Sequence, residues 1–340
     1  MTLEFLQISW FLLIGLLLSV YAVLDGFDLG VGIVHFISNK NREEERSRNI
    51  KLIAPFWDGN EVWLLTGAGA LFAAFPAAYA TIFSAFYIPL MFVIFSLIFR
   101  AVSIEFRDKY SNSNWKKFFD YAFSYSSMLV TFLFGVAMAN IIRGLPLDSL
   151  GNYTGDIFFL LNPYALLVGI TVVFMFANHG ALYLSYRNDM EYSETEKAIR
   201  IRGLAALLWI PFNVCYFISG AITIINFQRD RELIIISMLF FVLSVVAMFL
   251  NRYYNYKKKD LYALAFSSLT ILLTWALILS TLFPYIVPTS SSNVFNVISI
   301  FNSSSSKNTL SIMLYLAMIG MPVVIFYTIY IYRVFVFRKH

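Results

Sequence analysis

Apolar positions in this chain of 340 residues gather into long uninterrupted runs, and polar positions fill the gaps between them. Runs long enough to cross a hydrocarbon core of ~30 Å fall at 8–36, 53–76, 79–104, 121–142, 158–186, 202–226, 232–250, 261–287 and 309–335. In lipid the backbone N–H and C=O groups must be paired within the segment, so each run is predicted to be an α-helix. The expected fold is an all-α integral membrane protein of about nine transmembrane helices in one polytopic domain over 1–340. Roughly 1–142 would form a first helix bundle, and 158–335 would hold the remaining helices. The break at 76–79 is marked only by Pro76, and the turn around Gln228–Arg231 is short. Ser290–Ser306 is rich in Ser and Asn and is predicted to be an exposed loop.

Composition agrees with this pattern. Apolar residues make up 59% and charged residues only 13% of the chain, about half the charged share of a soluble domain. The net charge of +5 raises the question of a nucleic-acid partner, but the placement of the basic residues answers it. With Arg100 counted at the end of its helix, 21 of the 25 lysines and arginines fall in alternate loops and the C-terminal tail. By the positive-inside rule this places the N-terminus outside and the C-terminus in the cytoplasm. The basic balance is then a consequence of topology, and no nucleic-acid binding is expected. The first apolar run has no basic segment before it and no small-residue cleavage site, so it is expected to remain as a helix.

Charged side chains inside the membrane are costly, about 2.5–3.5 kcal/mol each on insertion scales, and so mark candidate function. Asp25 and Asp28 lie three apart in helix 1, and Asp58 and Glu61 lie three apart at the start of helix 2. Arg100, Glu105 and Lys109 lie at the far end of helix 3. Because successive helices alternate in direction, all of these except Lys109, which follows the span, should lie in the cytoplasmic half, while the outer halves of the same helices are apolar. A one-sided polar entrance into a sealed membrane is what proton uptake requires. The structural alternative is that Asp25 or Asp58 pairs with Arg100 only to lock helices together, and that Glu105 and Lys109 form an interfacial ion pair. No matching cluster is apparent in the second half, which argues against a secondary transporter built from inverted repeats.

Other candidate chemistry is sparse. Gly26, Gly30, Gly32, Gly59, Gly67 and Gly69 are expected to let helix backbones approach. The stretch GAGALFAA lacks the Lys-Ser/Thr of a phosphate loop. Cys215 is expected to be a buried small hydrophobe. Of His35, His179 and His340 only His179 is deep enough for a haem ligand, and no second histidine matches its depth, so a hydrogen-bonded polar role is the better expectation. No metal site is expected.

The charged segments resemble, in order, the second subunit of cytochrome bd-type quinol oxidases. The matching stretches are DGFDLGVG at 25–32, APFWDGNEVWL at 54–64, GALFAAFPAAYA at 69–80, FSAFY at 83–87, SLIFR at 96–100, YTG at 153–155, FFLLNPYALLVG at 158–169, FSSLT at 266–270 and FPYIVPTS at 283–290. The resemblance implies two four-helix bundles plus one peripheral helix. It also implies an obligate partner, the haem-bearing subunit I, with two b-type haems and one d-type haem there and no cofactor in this chain. The complex would oxidise quinol on the outer side and reduce O₂ to water with cytoplasmic protons, in a prokaryotic plasma membrane. A structural quinone in this subunit and small single-helix subunits occur in some relatives. The resemblance assigns a proton route to Asp58, Glu105 and Lys109 and an O₂ path to the neighbourhood of Trp63. Glu61 stands where relatives often carry Gln, Glu105 where Asp is usual, and the position of His179 varies. A purely structural scaffold for subunit I remains the rival description.

Overall fold

The structure is a computed structural model, and it describes residues 1–38, 43–189, 196–228, 230–290 and 297–337. Its α-helices are α1 (Leu3–Ser38), α2 (Glu43–Ile53), α3 (Trp57–Ala74), α4 (Pro76–Ala85), α5 (Tyr87–Phe106), α6 (Ser113–Arg143), α7 (Ile157–Leu160), α8 (Pro163–Asp189), α9 (Glu196–Ile222), α10 (Ile234–Tyr256), α11 (Asp260–Leu282) and α12 (Lys307–Phe337). Two short strands, β1 (Tyr285–Val287) and β2 (Ile298–Ser299), pair antiparallel.

Eight of these helices, α1, α5, α6 and α8 to α12, are long and apolar enough to span a bilayer. The ninth expected span corresponds to α3, which has 18 residues and a polar first turn, and so reaches neither the length nor the apolarity of the others. Its predicted start at 53 is displaced because Pro55 disfavours helix at the residue before it, which separates α2 from α3. The predicted third span also begins too early. Residues 76–85 form the separate helix α4, opened by Pro76 at its first turn and ended at Phe86, and α5 starts only at Tyr87. The segment 158–186 is likewise divided, with α7 stopping before Asn162 and Pro163 opening α8.

The first group comprises α1, α3, α5 and α6, with α1 against α3 and α6 and α5 against α6; the second comprises α8 to α11. The two meet where α1 and α6 face α8, and α12 lies outside, mainly along α1. Two glycine crossings bring the groups together. A Cβ on Gly30 would stand 1.9 Å from the Phe176 carbonyl oxygen, and one on Gly180 would stand 2.2 Å from the Gly30 carbonyl carbon, so α1 and α8 touch backbone to backbone. At α6 and α8 a Cβ on Gly135 would lie 2.7 Å from the Gly169 Cα. Gly32 and Gly67 are also tight, whereas a Cβ at Gly59 or Gly69 meets nothing within 4 Å, so those two do not serve packing within the chain.

The two ends differ. At one end the hairpin β1–β2 sits over the helices, and Ser305 caps α3 by donating its N–H to the Ala74 carbonyl and its hydroxyl to that of Ala73. Gln7 donates to Ser304 Oγ at 2.7 Å, and Trp10 to the Leu310 carbonyl. The predicted exposed loop at 290–306 is therefore corrected over its second part: Ile298, Ile300 and Ser303 are buried, because pairing and capping satisfy the backbone; 291–296 lie outside the described residues. At the other end α2 lies across both groups. Lys116 reaches Glu43 at 2.5 Å and Arg200 reaches Glu45 at 2.6 Å, joining α2 to α6 and α9.

Candidate functional site

The acids predicted from sequence collect at the α2 end, in two distinct environments. Inside the first group, Arg100 of α5 is completely buried. Its guanidinium donates through Nη2 to Asp25 Oδ1 at 2.5 Å and through Nη1 to Asp25 Oδ2 at 3.1 Å, a two-pronged contact that fits carboxylate geometry. Nη1 also donates to Glu61 Oε1 at 3.0 Å, and Nη2 lies 4.0 Å from Asp28 Oδ2. Two helices, α1 and α3, thus bring three carboxyls to one guanidinium on a third. The spacing of Asp25 and Asp28 puts both on the inward face of α1, and Glu61 enters from α3.

The second environment is a groove of about 810 Å³ between the start of α3, the end of α5 and α12. Asp58 and Glu105 line it together, with Asn60, Trp63 and Tyr332. Asp58 is exposed and makes no ion pair with Arg100; its i, i+3 partner Glu61 turns inward while Asp58 turns to the groove. Of the two pairings considered from sequence, Asp25–Arg100 forms and Asp58–Arg100 does not. Glu105 and Lys109 are both exposed and, among the described residues, form no ion pair with each other. Trp63 is buried against Leu17 and Tyr21 beside this groove.

Asn60 connects the two environments. Its Nδ2 donates to Asp28 Oδ2 at 2.7 Å, and its Oδ1 accepts from the Tyr332 hydroxyl at 3.0 Å. Tyr332 stacks on Phe56 with ring centroids 4.5 Å apart. Neither Asn60 nor Tyr332 was singled out by the sequence reading; the available pointer was the amide two residues after Asp58 in WDGNEVW, polar yet within a span.

Two further buried charge clusters also escaped that reading. Asp120 of α6 accepts from Arg107 Nε at 2.5 Å, lies 3.1 Å from Arg46 Nε and 2.8 Å from His35 Nε2, and is fully buried. In the second group Asp260 faces Arg202 Nη2, and Ser185 donates to its Oδ1 at 2.8 Å. The second half therefore carries a buried acid–base pair after all, at the same end. It was overlooked because both residues sit at span boundaries, where charge is cheap.

His179 is buried, with Nδ1 2.9 Å from Ser267 Oγ and Nε2 3.1 Å from the Val23 carbonyl. The carbonyl can only accept, so Nε2 carries the proton and Nδ1 accepts from Ser267. Both nitrogens are engaged, so His179 does not fit a haem-ligand role. His340 lies outside the described residues. Cys215 is half-exposed on the outer surface of α9 rather than buried. Among the described residues no group of three His, Cys, Asp or Glu side chains could hold a metal ion.

The family model described as cytochrome bd terminal oxidase subunit II matches residues 6–335. The chain belongs to the cytochrome bd terminal oxidase subunit II family. It is 33% identical to the cytochrome bd-I ubiquinol oxidase subunit 2 of Escherichia coli K12, over 97% of this chain and 94% of that protein. It is 34% identical to the cytochrome bd ubiquinol oxidase subunit 2 of Bacillus subtilis strain 168, over 97% of this chain and 95% of that one. Its fold resembles a chain in the structure of the bd oxidase from Geobacillus thermodenitrificans, with a TM-score of 0.74 at 17% identity and full coverage of both chains. Membership of the cytochrome bd subunit II family makes the chain part of a respiratory oxidoreductase complex and implies a subunit I as partner. With eight candidate spans and bacterial relatives, it is a multi-pass protein of the bacterial plasma membrane.

Proposed function

We propose that the chain is the haem-free second subunit of a quinol:O₂ oxidoreductase, which stabilises the haem-bearing subunit I and carries protons from the cytoplasm towards its oxygen-reducing haem. The observation that carries this reading is the division of the acids into an open groove with Asp58 and Glu105 and a buried cluster directly behind it. The groove offers carboxylates to water at the membrane face. In the cluster three carboxyls share one guanidinium, so charge balance in a desolvated site is reached only by holding protons. Such a site stores and passes protons rather than merely pairing charges.

The locking role considered as the alternative is favoured by a specific observation for part of the set. Arg100, Asp25 and Glu61 bind three helices through direct contacts, and removing one partner would strand the others. In this reading Arg100 and Asp25 hold the geometry, and Asp58, Glu105 and Asp28 handle protons, with Lys109 at the mouth. An apolar cavity of about 220 Å³ between the two groups is lined by Tyr21, Leu64, Phe134, Phe176, Tyr216 and Trp275. Leu64 adjoins Trp63, and a dry space of this kind suits a small apolar molecule such as O₂ near that residue.

The test is Asp58→Asn in the assembled complex. The expected outcome is normal haem content and loss of quinol oxidase turnover. Full turnover would remove Asp58 from the route, and loss of haem would favour the scaffold reading.

A further inference from the structure

Asn60 stands in the wall between the groove and the buried cluster. Among the described residues it is the groove-lining side chain that hydrogen-bonds a cluster acid, and its own exposure is 2%. An asparagine amide can point either way, and its neighbours decide which. Nδ2 faces two acceptors, Asp28 Oδ2 at 2.7 Å and the Leu24 carbonyl at 3.4 Å. The reverse orientation would set the amide oxygen against the Leu24 carbonyl, which can only accept whatever the protonation of Asp28. Oδ1 must therefore face Tyr332, and the Tyr332 hydroxyl is the donor.

The resulting chain of hydrogen bonds runs one way, from Tyr332 through Asn60 to Asp28. For Asp28 it is the main support. Its Oδ1 has no partner among the described residues, its Oδ2 receives Asn60, and Arg100 is no nearer than 4.0 Å. For Tyr332 the direction is fixed by packing: the ring stacks on Phe56 and stands edge-on to Phe27, with centroids 6.3 Å apart at 89°. Its helix α12 is otherwise largely exposed, so this tyrosine is where the outermost helix reaches the acid cluster.

We propose that Asn60 and Tyr332 are positioning residues for the Asp28 carboxyl, the hydroxyl of the last helix fixing the amide and the amide fixing the acid beside the groove. The inference rests on the proton-route reading for its consequence in turnover, but the geometry it describes stands apart from that reading. The amide has no titratable group and does not carry the proton itself. It holds the acceptor where a proton arriving by the groove can reach it.

The experiment uses the complete complex in membranes, with Asp28→Asn identifying the infrared carboxyl stretch of Asp28 by its loss. Tyr332→Phe removes one oxygen and keeps the stack on Phe56; Asn60→Leu removes the amide. The expected result for Tyr332→Phe is full haem content, a shifted Asp28 band, turnover lowered about 2- to 10-fold, a displaced pH profile and an unchanged KM for quinol. Asn60→Leu moves the band further. A shifted band with unchanged turnover and pH profile supports the positioning role and overturns instead the part given to Asp28 in the proton route. An unmoved band and pH profile in an intact complex overturns the proposal. So does loss of the complex in Tyr332→Phe, which would make the tyrosine an anchor for α12 only.

Discussion

Buried charge in this chain is gathered into separate clusters, and each responds differently to the loss of one member. Asp120 is the fully buried carboxylate between Arg107, Arg46 and His35, with the half-exposed Asp108 on the other side of Arg107, so Asp120→Asn removes the buried charge that both guanidiniums approach. Breaking such a pair costs about 3–5 kcal/mol. The expected result is a clearly lower thermal midpoint of the purified complex with turnover per haem retained, because the cluster is separate from the groove. Asp58→Asn is the counterpart: an exposed acid without an ion pair should change stability by no more than about 0.5 kcal/mol. Calorimetry on the two variants side by side checks both statements, and equal midpoints would contradict them.

At this scale the sequence reveals groups by their cost. Asp25, Asp28, Glu61 and Arg100 were legible because ionised side chains in an apolar run demand a reason. Asn60 was not, since an amide carries no charge and a search for charge passes over it. Tyr332 is one of 21 tyrosines, and nothing in its own segment distinguishes it. Arg107, Asp120, Arg202 and Asp260 lie at span ends, where charged residues are ordinary, and only the fold shows that neighbouring elements cover them.

Among the elements, the crossing of α1 and α8 is the most exacting. At Gly30 and Gly180 an added Cβ meets backbone atoms, which cannot rotate away as a side-chain tip can. Gly180→Leu should therefore cost at least the 1–3 kcal/mol typical of overpacking, seen as loss of assembled complex or a fall in its thermal midpoint. Gly69→Leu, where the space is open within the chain, should be much milder in that respect. The strap α2 is expected to respond to pH through Glu43. Lys116 donates to Glu43 and holds that carboxyl below its usual value of 4.5. Because the folded value is the lower one, the contribution of this contact is present above the ordinary value and fades as the pH falls through the lowered one. Protection of the α2 amides, taken relative to their intrinsic exchange rates, should fall over that acid window in the wild type, and Lys116→Met should show the lower protection already at neutral pH.

Element existence was largely written in the hydropathy, because lipid imposes helix on any long apolar run. Element boundaries were not. Pro55, Pro76 and Pro163 each divide or delay a run that hydropathy alone reads as continuous, since an apolar average does not register a backbone restriction. The region from 297 to 306 shows the reverse failure: Ser and Asn there serve pairing and capping, so their polarity marks occupied hydrogen bonds and not exposure.

For the whole molecule, the two helix groups place every acid of the site at the α2 end and leave the hairpin end free of buried carboxylates among the described residues. The faces of α3, α5 and α12 around the groove stay uncovered by this chain, in keeping with a partner subunit completing the path. Sidedness is the claim on which proton entry depends, and thiol labelling reads it directly. With the lone Cys215 replaced by Ala, single cysteines are placed at 58, at 105 and at the exposed hairpin-end position Leu150, in oriented vesicles. A membrane-impermeant reagent should modify 58 and 105 only from the cytoplasmic face and 150 only from the outer face. Labelling of 58 and 105 from opposite faces, or of either from the outside, would contradict the account.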